Sequence, residues 1–307
     1  MTDISFDGQV AIVTGAGGGL GRTYALELAR RGAAVVVNDL GGTVAGVGDD
    51  SSAAQRVVDE VRAAGGEAVP SYDSVSTPEG GAAIVGAALD SFGRVDVVIN
   101  NAGILRDRTF AKLEWADLDA VLDVHLKGAF YVSQPAFRAM KEGGYGRFVF
   151  TASNAGVFGN FGQANYGAAK SGLVGLSNVL AIEGAKSGIA SNVIMPVART
   201  RMTEEILGPL AGALDPDQVT PMVVFLASRA CELTHEVFSA AGGRYSRVFT
   251  GLTRGWYAGD RPASAEDVAD HLGEIEDRDG YIVPTSVADE LQQLLPLLRR
   301  SGAVSTS

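Results

Sequence analysis

The chain is short of cysteine, histidine, basic charge and long apolar runs, and each shortage removes a class of function. Cys231 is the sole cysteine in 307 residues, so no disulfide can form within the chain and a reducing compartment is expected. The three histidines, His125, His235 and His271, are scattered, and no metal site can be read from them. Lys and Arg number 25 against 36 Asp and Glu, a net charge of −11, which argues against nucleic acid or an anionic membrane as partner. No apolar run approaches the roughly 20 residues that cross a bilayer. The polar stretch before the first apolar run does not read as a signal peptide. Nor is Ser305-Thr306-Ser307 a peroxisomal address of the Ser-Lys-Leu type. A cytoplasmic protein is the expectation.

What the chain has is apolar residue and glycine: 46% hydrophobic, with 40 glycines, enough for one large α/β domain with a full core. Residues 9–13 form a short apolar run of the kind buried in a parallel sheet. It leads into Thr14-Gly15-Ala16-Gly17-Gly18-Gly19-Leu20-Gly21, and residues 22–31 then read as a helix. A strand, a glycine turn and a helix opening together cradle phosphate, because glycine lets the backbone approach and the helix start offers free N–H groups. A second run, 33–37, ends at Asn38-Asp39, with Asp39 eighteen residues past Gly21. That is close to the spacing of an acid that binds the adenosine ribose. A carboxylate there repels a 2′-phosphate and favours NAD over NADP; Arg22 is the nearby base that argues the other way.

The rhythm continues, with further strands expected at 67–73, 95–99, 147–151, 191–195 and 235–239. Helices at 51–64, 78–92, 117–141, 164–186 and 217–228 separate them. The alternation predicts a doubly wound parallel sheet of the Rossmann type, about seven strands with helices on both faces, plus a C-terminal helical appendage. Ligands bind beyond the carboxyl ends of such strands, so Asp39, Asp73, Asn101, Ser153 and Pro196 should gather at one crevice.

Tyr166 and Lys170 lie four apart in Gln-Ala-Asn-Tyr-Gly-Ala-Ala-Lys and share a helix face. A cation about 4 Å from the phenol is worth roughly 4 kcal/mol at an effective dielectric of about 20. That would bring a phenol of pKa near 10 towards the range of a working general base.

Taken with Thr14-Gly15-x-x-x-Gly19-x-Gly21, Asn100-Asn101-Ala102-Gly103 and Ser153, this pair makes residues 6 to about 243 resemble the short-chain dehydrogenase/reductase family. Four segments narrow the resemblance: 37–42, 101–108, 124–128 and 159–166. They look like the (3R)-hydroxyacyl-CoA dehydrogenases of the peroxisomal multifunctional enzyme type 2 group, also called 17β-hydroxysteroid dehydrogenase type 4. The resemblance implies that Tyr166 takes the substrate proton, Ser153 orients the substrate oxygen, and Lys170 binds the nicotinamide ribose and lowers the Tyr166 pKa. It implies a cofactor bound by Thr14, Gly15, Gly17, Gly19, Leu20 and Gly21, with Asp39 on the adenosine ribose. Asp73, Ser74 and Val75 would lie by the adenine, and Asn101, Ala102 and Gly103 along the cofactor. Pro196, Ala198, Arg199, Thr200 and Arg201 would meet the nicotinamide end.

Two positions depart from the wider family. His125 stands where an asparagine usually supports a water-linked proton path, and either relays protons or packs a helix. Residues 196–200, Pro-Val-Ala-Arg-Thr, lack the usual glycine and carry the threonine one residue early.

The expected domains are 1–243, which binds NAD, and 244–307, an extension packed on the same domain or on a partner copy. The extension mixes Arg244, Arg247 and Arg254 with aromatics, which either cover apolar surface or shape a site for a CoA phosphate. A capping box at Ser264–Asp267 should open a helix to about 277. A second helix should begin near 286 and break near Pro296. Helices 117–141 and 164–186, rich in small residues, are expected to form a homodimer or homotetramer interface. The leading function is NAD-dependent oxidation of 3-hydroxyacyl-CoA to 3-oxoacyl-CoA. The alternative is a steroid or other bulky hydroxy-compound dehydrogenase, and more remotely a non-catalytic nucleotide-binding regulator.

Overall fold

Runs of β-branched residue at the expected positions make the sheet. In the computed structural model, which describes residues 3–200, 202–203, 208–259 and 261–300, β1 (Val10–Thr14) is buried along its whole length. It pairs in parallel with β2 (Ala34–Asn38) on one side and β4 (Val97–Asn100) on the other. Parallel pairing continues outward from β2 to β3 (Glu67–Ser71). From β4 it runs through β5 (Gly146–Thr151) and β6 (Ile189–Val197) to β7 (Val237–Ala241). The full order is β3-β2-β1-β4-β5-β6-β7-β8. The chain reverses direction across the sheet between β1 and β4, which puts the binding crevice at their carboxyl ends.

The eighth strand corrects the expectation of seven. β8 (Arg244–Val248) was read as the start of the extension because its arginines and aromatics hide the alternation of a strand. It joins the sheet through Gly242-Gly243, both at positive φ (+55° and +78°), the two-residue turn that only a hairpin of opposed strands accepts.

Helices α1 (Gly19–Arg30), α2 (Ser52–Ala63), α3 (Pro78–Phe92), α4 (Trp115–Leu122) and α5 (Gly128–Gly143) alternate with strands as predicted. So do α7 (Ala164–Gly184) and α8 (Thr220–Ala227), while the short α6 (Asn154–Phe158) between β5 and α7 is additional to the expected helices. α3 shows why its ends fall where they do. The Thr77 side chain accepts from Gly80 N, Pro78 opens the first turn, and Gly93 at φ +74° closes the last. The single helix expected at 117–141 is instead α4 and α5 joined by a π turn, Asp123–Lys127, which carries His125. Such turns insert one residue and re-aim the side chains around it.

The chain forms two compact units, the first running to Arg247 and the second beginning at Val248. In the second, Leu252 and Ile282 exchange backbone hydrogen bonds, and the Phe249 and Tyr281 rings stack at 5.9 Å. The Ser264–Asp267 capping box is present, but the helix it opens stops at Asp270 and a second short one follows to Glu276. The last helix, Val287–Arg300, runs through Pro296 rather than breaking there. A proline removes one backbone hydrogen bond and bends a helix without having to end it.

At the amino ends of β1 and β4, Asp96 is 1% exposed. It accepts from Val10 N at 2.9 Å and from both forks of Arg94 at 2.7 and 2.8 Å. Asp96→Ala strands Val10 N and the guanidinium. It should lower unfolding free energy by about 2 kcal/mol, read from the denaturant midpoint.

Candidate active site

The crevice begins with a clamp between β1 and β4. Thr14 Oγ1 accepts from Asn101 N at 3.0 Å and Ala102 N at 3.1 Å. Asn101 Nδ2 donates back to Thr14 O and Gly15 O at 3.0 and 3.2 Å. Glycine is required here by contact as well as by conformation. A Cβ on Gly15 (φ +64°) would sit 2.8 Å from Ala102 Cα, and one on Gly21 only 2.2 Å from Gly15 O. The start of α1 has Gly18 as cap, no side-chain hydrogen bond and no acid in its first turn. Its first N–H groups therefore face the crevice as an anion site.

Asp39 closes the next side. Its Oδ2 accepts from Gly17 N at 2.8 Å and its Oδ1 from Gly41 N at 2.7 Å. Each carboxylate oxygen keeps a second acceptor position, as two ribose hydroxyls require. Arg22, the competing base, is engaged with Glu60.

The reacting end lies along α7. Lys170 is 3% exposed and donates to Thr151 O, and its Nζ stands 5.6 Å from the Tyr166 ring centroid. Both side chains therefore share one face, as the spacing predicts. Ser153 caps α6 by accepting from Ala155 N at 3.2 Å, and it lines the same crevice as Tyr166. The His125 ring meets Tyr166 edge-on at 5.2 Å. Its Nε2 is 2.8 Å from Ile104 O, while Nδ1 has no hydrogen-bond partner among the described residues. Thr151 Oγ1 and Asn154 Oδ1 are likewise buried without partners. Three orphaned polar atoms on residues that line one crevice with Lys170 mark a place built to hold polar matter.

The electrostatics reverse one expectation. Burial raises the Tyr166 phenol above its ordinary value; the Ser153 hydrogen bond opposes this and the Asp107 carboxylate adds to it. Lys170 does not outweigh burial, because burial pulls its own pKa down to about 7, so its ammonium is only partly populated at neutral pH. His125 is pushed well below its usual value by burial and then by Lys170, against the Ile104 backbone hydrogen bond, and is neutral.

A crevice of about 590 Å³, within the range of small-molecule sites, joins these groups. Gly15, Gly19, Leu20 and Asp39 line it at one end and Asp73, Ser74 and Val75 beside them. Asn101, Ala102 and Gly103 follow, then His125, Ser153, Tyr166 and Lys170, with Pro196, Ala198 and Thr200 at the far side. Thr14, Gly17, Gly21 and Arg199 do not line it. Thr14 and Gly21 shape the turn from behind, Gly17 packs under Asp39, and Arg199 is exposed. Arg201 lies outside the described residues. Arg247 is engaged with Glu236, and Arg254 Nε donates to Gly280 O.

Sequence reasoning missed a wall of the crevice, the loop 40–46, and the apolar mouth at Leu105, Phe158 and Met202. The loop's signal was present in Gly41, Gly42, Gly46 and Gly48, but glycines far from a motif give no direction. The π turn had no sequence signal.

A family model described as short chain dehydrogenase matches residues 9–208. The chain belongs to the short-chain dehydrogenase family. It is an oxidoreductase acting on CH–OH groups with a nicotinamide cofactor, and the helix start, Asp39 and the orphaned atoms beside Lys170 fit that group. It is 47% identical over 98% of its length to peroxisomal multifunctional enzyme A of Dictyostelium discoideum, of which it spans 67%. It is 40% identical over 80% of its length to a hydroxyacyl-CoA dehydrogenase of Mycobacterium tuberculosis, of which it covers 81%. The solved full-length peroxisomal multifunctional enzyme type 2 of Drosophila melanogaster superposes with a TM-score of 0.81 at 39% identity. The match covers 97% of this chain and half of that one.

A lysine with a lowered folded-state pKa makes the unfolded chain bind the extra proton. Stability therefore climbs with pH between about 7 and 10.5, the ordinary value, and the full penalty is present below 7. Lys170→Met should raise the melting temperature at pH 7 and flatten its dependence between pH 7 and 10. A lower melting temperature with the slope intact would show that the ammonium is not the destabilising group.

Proposed function

We propose that the chain oxidises the 3-hydroxyl of acyl-CoA thioesters to the 3-oxo compound with NAD. The observation that carries the reading is Lys170, buried with no carboxylate partner among the described residues and with its Nζ 5.6 Å from the Tyr166 ring centroid. Hydride acceptance is what a bound nicotinamide supplies. The chain's own part is to place and protonate. Ser153, fixed by Ala155 N, would hold the substrate oxygen against Tyr166. Tyr166 would take the hydroxyl proton on oxidation as the phenolate and return it on reduction as the phenol; burial, which favours the phenol, favours the reducing direction. Lys170 would hold the nicotinamide ribose. Neutral His125, whose Nδ1 has no hydrogen-bond partner among the described residues, would hold the water through which the proton leaves.

The substrate class rests on the hydroxyacyl-CoA dehydrogenase relative and on the apolar mouth at Leu105, Phe158 and Met202. The same mouth suits a steroid alcohol, which is the second reading. Asp39 supports NAD over NADP, since an ionised carboxylate would repel a 2′-phosphate. For assembly we favour a homodimer or homotetramer through α5 and α7, whose Phe130, Val179 and Ile182 are about half exposed. We place the protein in the cytoplasm from composition alone, although its relatives are named for the peroxisome.

A panel of short acyl-CoAs, long acyl-CoAs and sterols, assayed for NADH and NADPH formation, tests the substrate and cofactor together. The acyl-CoAs with NAD should give the highest kcat/KM; a sterol in first place would sink the leading reading. Tyr166→Phe should keep NADH binding and lose on the order of a thousandfold in kcat. In Asp39→Ala, the preference for NAD over NADP should fall by about tenfold or more, measured as the ratio of kcat/KM values.

A further inference from the structure

The loop between β2 and α2 is closed at its base, where a Cβ on Gly41 would fall 2.1 Å from Asp50 O, and it projects as a compact unit. Inside it, Thr43 N donates to Val47 O, Gly46 N to Thr43 O, and Val47 N to the Thr43 hydroxyl. Thr43, Val44 and Gly46 line the crevice that Asp39 and Ser153 also line, so the loop walls the space between the two ends of the site.

Its tip is tied to the segment that follows β4. Leu105 N donates to Val44 O at 2.9 Å and Arg106 Nε to Ala45 O at 3.0 Å. A Cβ on Gly46 would touch Ile104 Cγ2 at 3.0 Å, so the tip rests on that side chain. Arg106 also reaches α4, its Nη1 3.4 Å from Asp117 Oδ1, with the arginine side chain 27% exposed and the aspartate 17%. From there the ties run to the reacting end. Asn165 Nδ2 donates to Arg106 O at 3.0 Å and Asp117 O at 3.3 Å, and its Oδ1 accepts from Tyr166 N at 2.8 Å. Ile104 O meets His125 Nε2 at 2.8 Å.

We propose that Arg106 is a positioning residue that latches loop 41–48 over the cofactor crevice and ties that latch to the α7 turn carrying Tyr166. It touches neither reactant. Its Nε is the one side-chain donor seen holding the loop tip, while its other nitrogen and its carbonyl hold α4 and Asn165. A dinucleotide lying along the crevice must pass the loop to enter or leave, so loss of the latch speeds its release. The main-chain bond from Leu105 N remains in every variant, so the site itself persists. The inference rests on the reading of the crevice as a nicotinamide dinucleotide site.

The test compares wild type, Arg106→Leu and Arg106→Lys. Leucine keeps the apolar stem and removes all donors; lysine keeps the charge near Asp117 but has no Nε to serve Ala45 at the same time. NADH release is followed by stopped-flow fluorescence, alongside KM for NAD, kcat and thermal melts. In both variants NADH release and the KM for NAD should rise by about tenfold, the effect of one charge-assisted hydrogen bond, with kcat changed by less than about threefold. A merely structural role would lower the melting temperature and leave the release rate alone. If the leucine variant fails to fold, the lysine variant decides on the same criterion. Release within about twofold of wild type in a folded variant overturns the latch. A wild-type protein that binds neither NADH nor NADPH would instead sink the nicotinamide reading, a different outcome from the failure of Arg106.

Discussion

An ammonium held out of water at the carboxyl end of the sheet is the constraint around which the site is arranged. Among the described residues Lys170 has no carboxylate partner; it donates to a backbone carbonyl, and burial drags its pKa down to about 7. A fold selected for stability alone would put a leucine there. That the lysine stays, with orphaned oxygens and an imidazole nitrogen around it, is what separates this crevice from an ordinary cleft. It also sets the limits on Tyr166, because a partly neutral lysine cannot acidify a phenol as strongly as a full charge would. Burial therefore outweighs the pairwise attraction, and the phenol's pKa is raised.

Those groups meet because the sheet reverses between β1 and β4. The reversal leaves a gap above two adjacent strand ends, and the Thr14–Asn101 clamp holds that gap at fixed width. Gly15 and Gly21 close the turn beneath it with contacts that a methyl group would destroy. On the other side, β5 delivers Ser153 and α7 delivers the tyrosine and lysine, and Asn165 anchors the first turn of α7 to the segment beyond β4. The cofactor half and the reacting half are thus joined by hydrogen bonds across one short segment, 101–107, rather than only by the sheet below.

Much of this was legible in residue order, for identifiable reasons. Parallel strands buried on both faces read as unbroken apolar runs, so β1, β2 and β4 announced themselves; the glycine turn and the i,i+4 spacing are rules of local geometry. The misses share a different cause. β8 is a half-exposed strand whose burial depends on its neighbour, and Pro296 sits in a helix that its surroundings tolerate. The π turn at 123–127 and the loop 40–46 owe their shape to what they pack against, Ile104 and Val75 included, and no window of sequence contains those contacts. The direction of the Tyr166 shift failed for a related reason. A Coulomb estimate at an assumed 4 Å ignores how completely the pair is removed from water, and here desolvation is the larger effect.

Asp39 shows how far one residue's roles can be separated. Its carboxylate is expected to read the ribose, yet both oxygens already accept from the backbone, one at Gly17 inside the glycine turn and one at Gly41 at the base of the loop. A Cβ on Gly17 would press on that same carboxylate at 2.8 Å. The acid is therefore also a brace between the phosphate turn and the loop that walls the crevice. Removing the carboxylate loosens two backbone segments at once. Asp39→Asn removes the charge and keeps one of the two braces, because the amide oxygen still accepts from one N–H while the amide NH2 faces the other. The turn and the loop are thus held together through one acid, with Asp39 as their common contact.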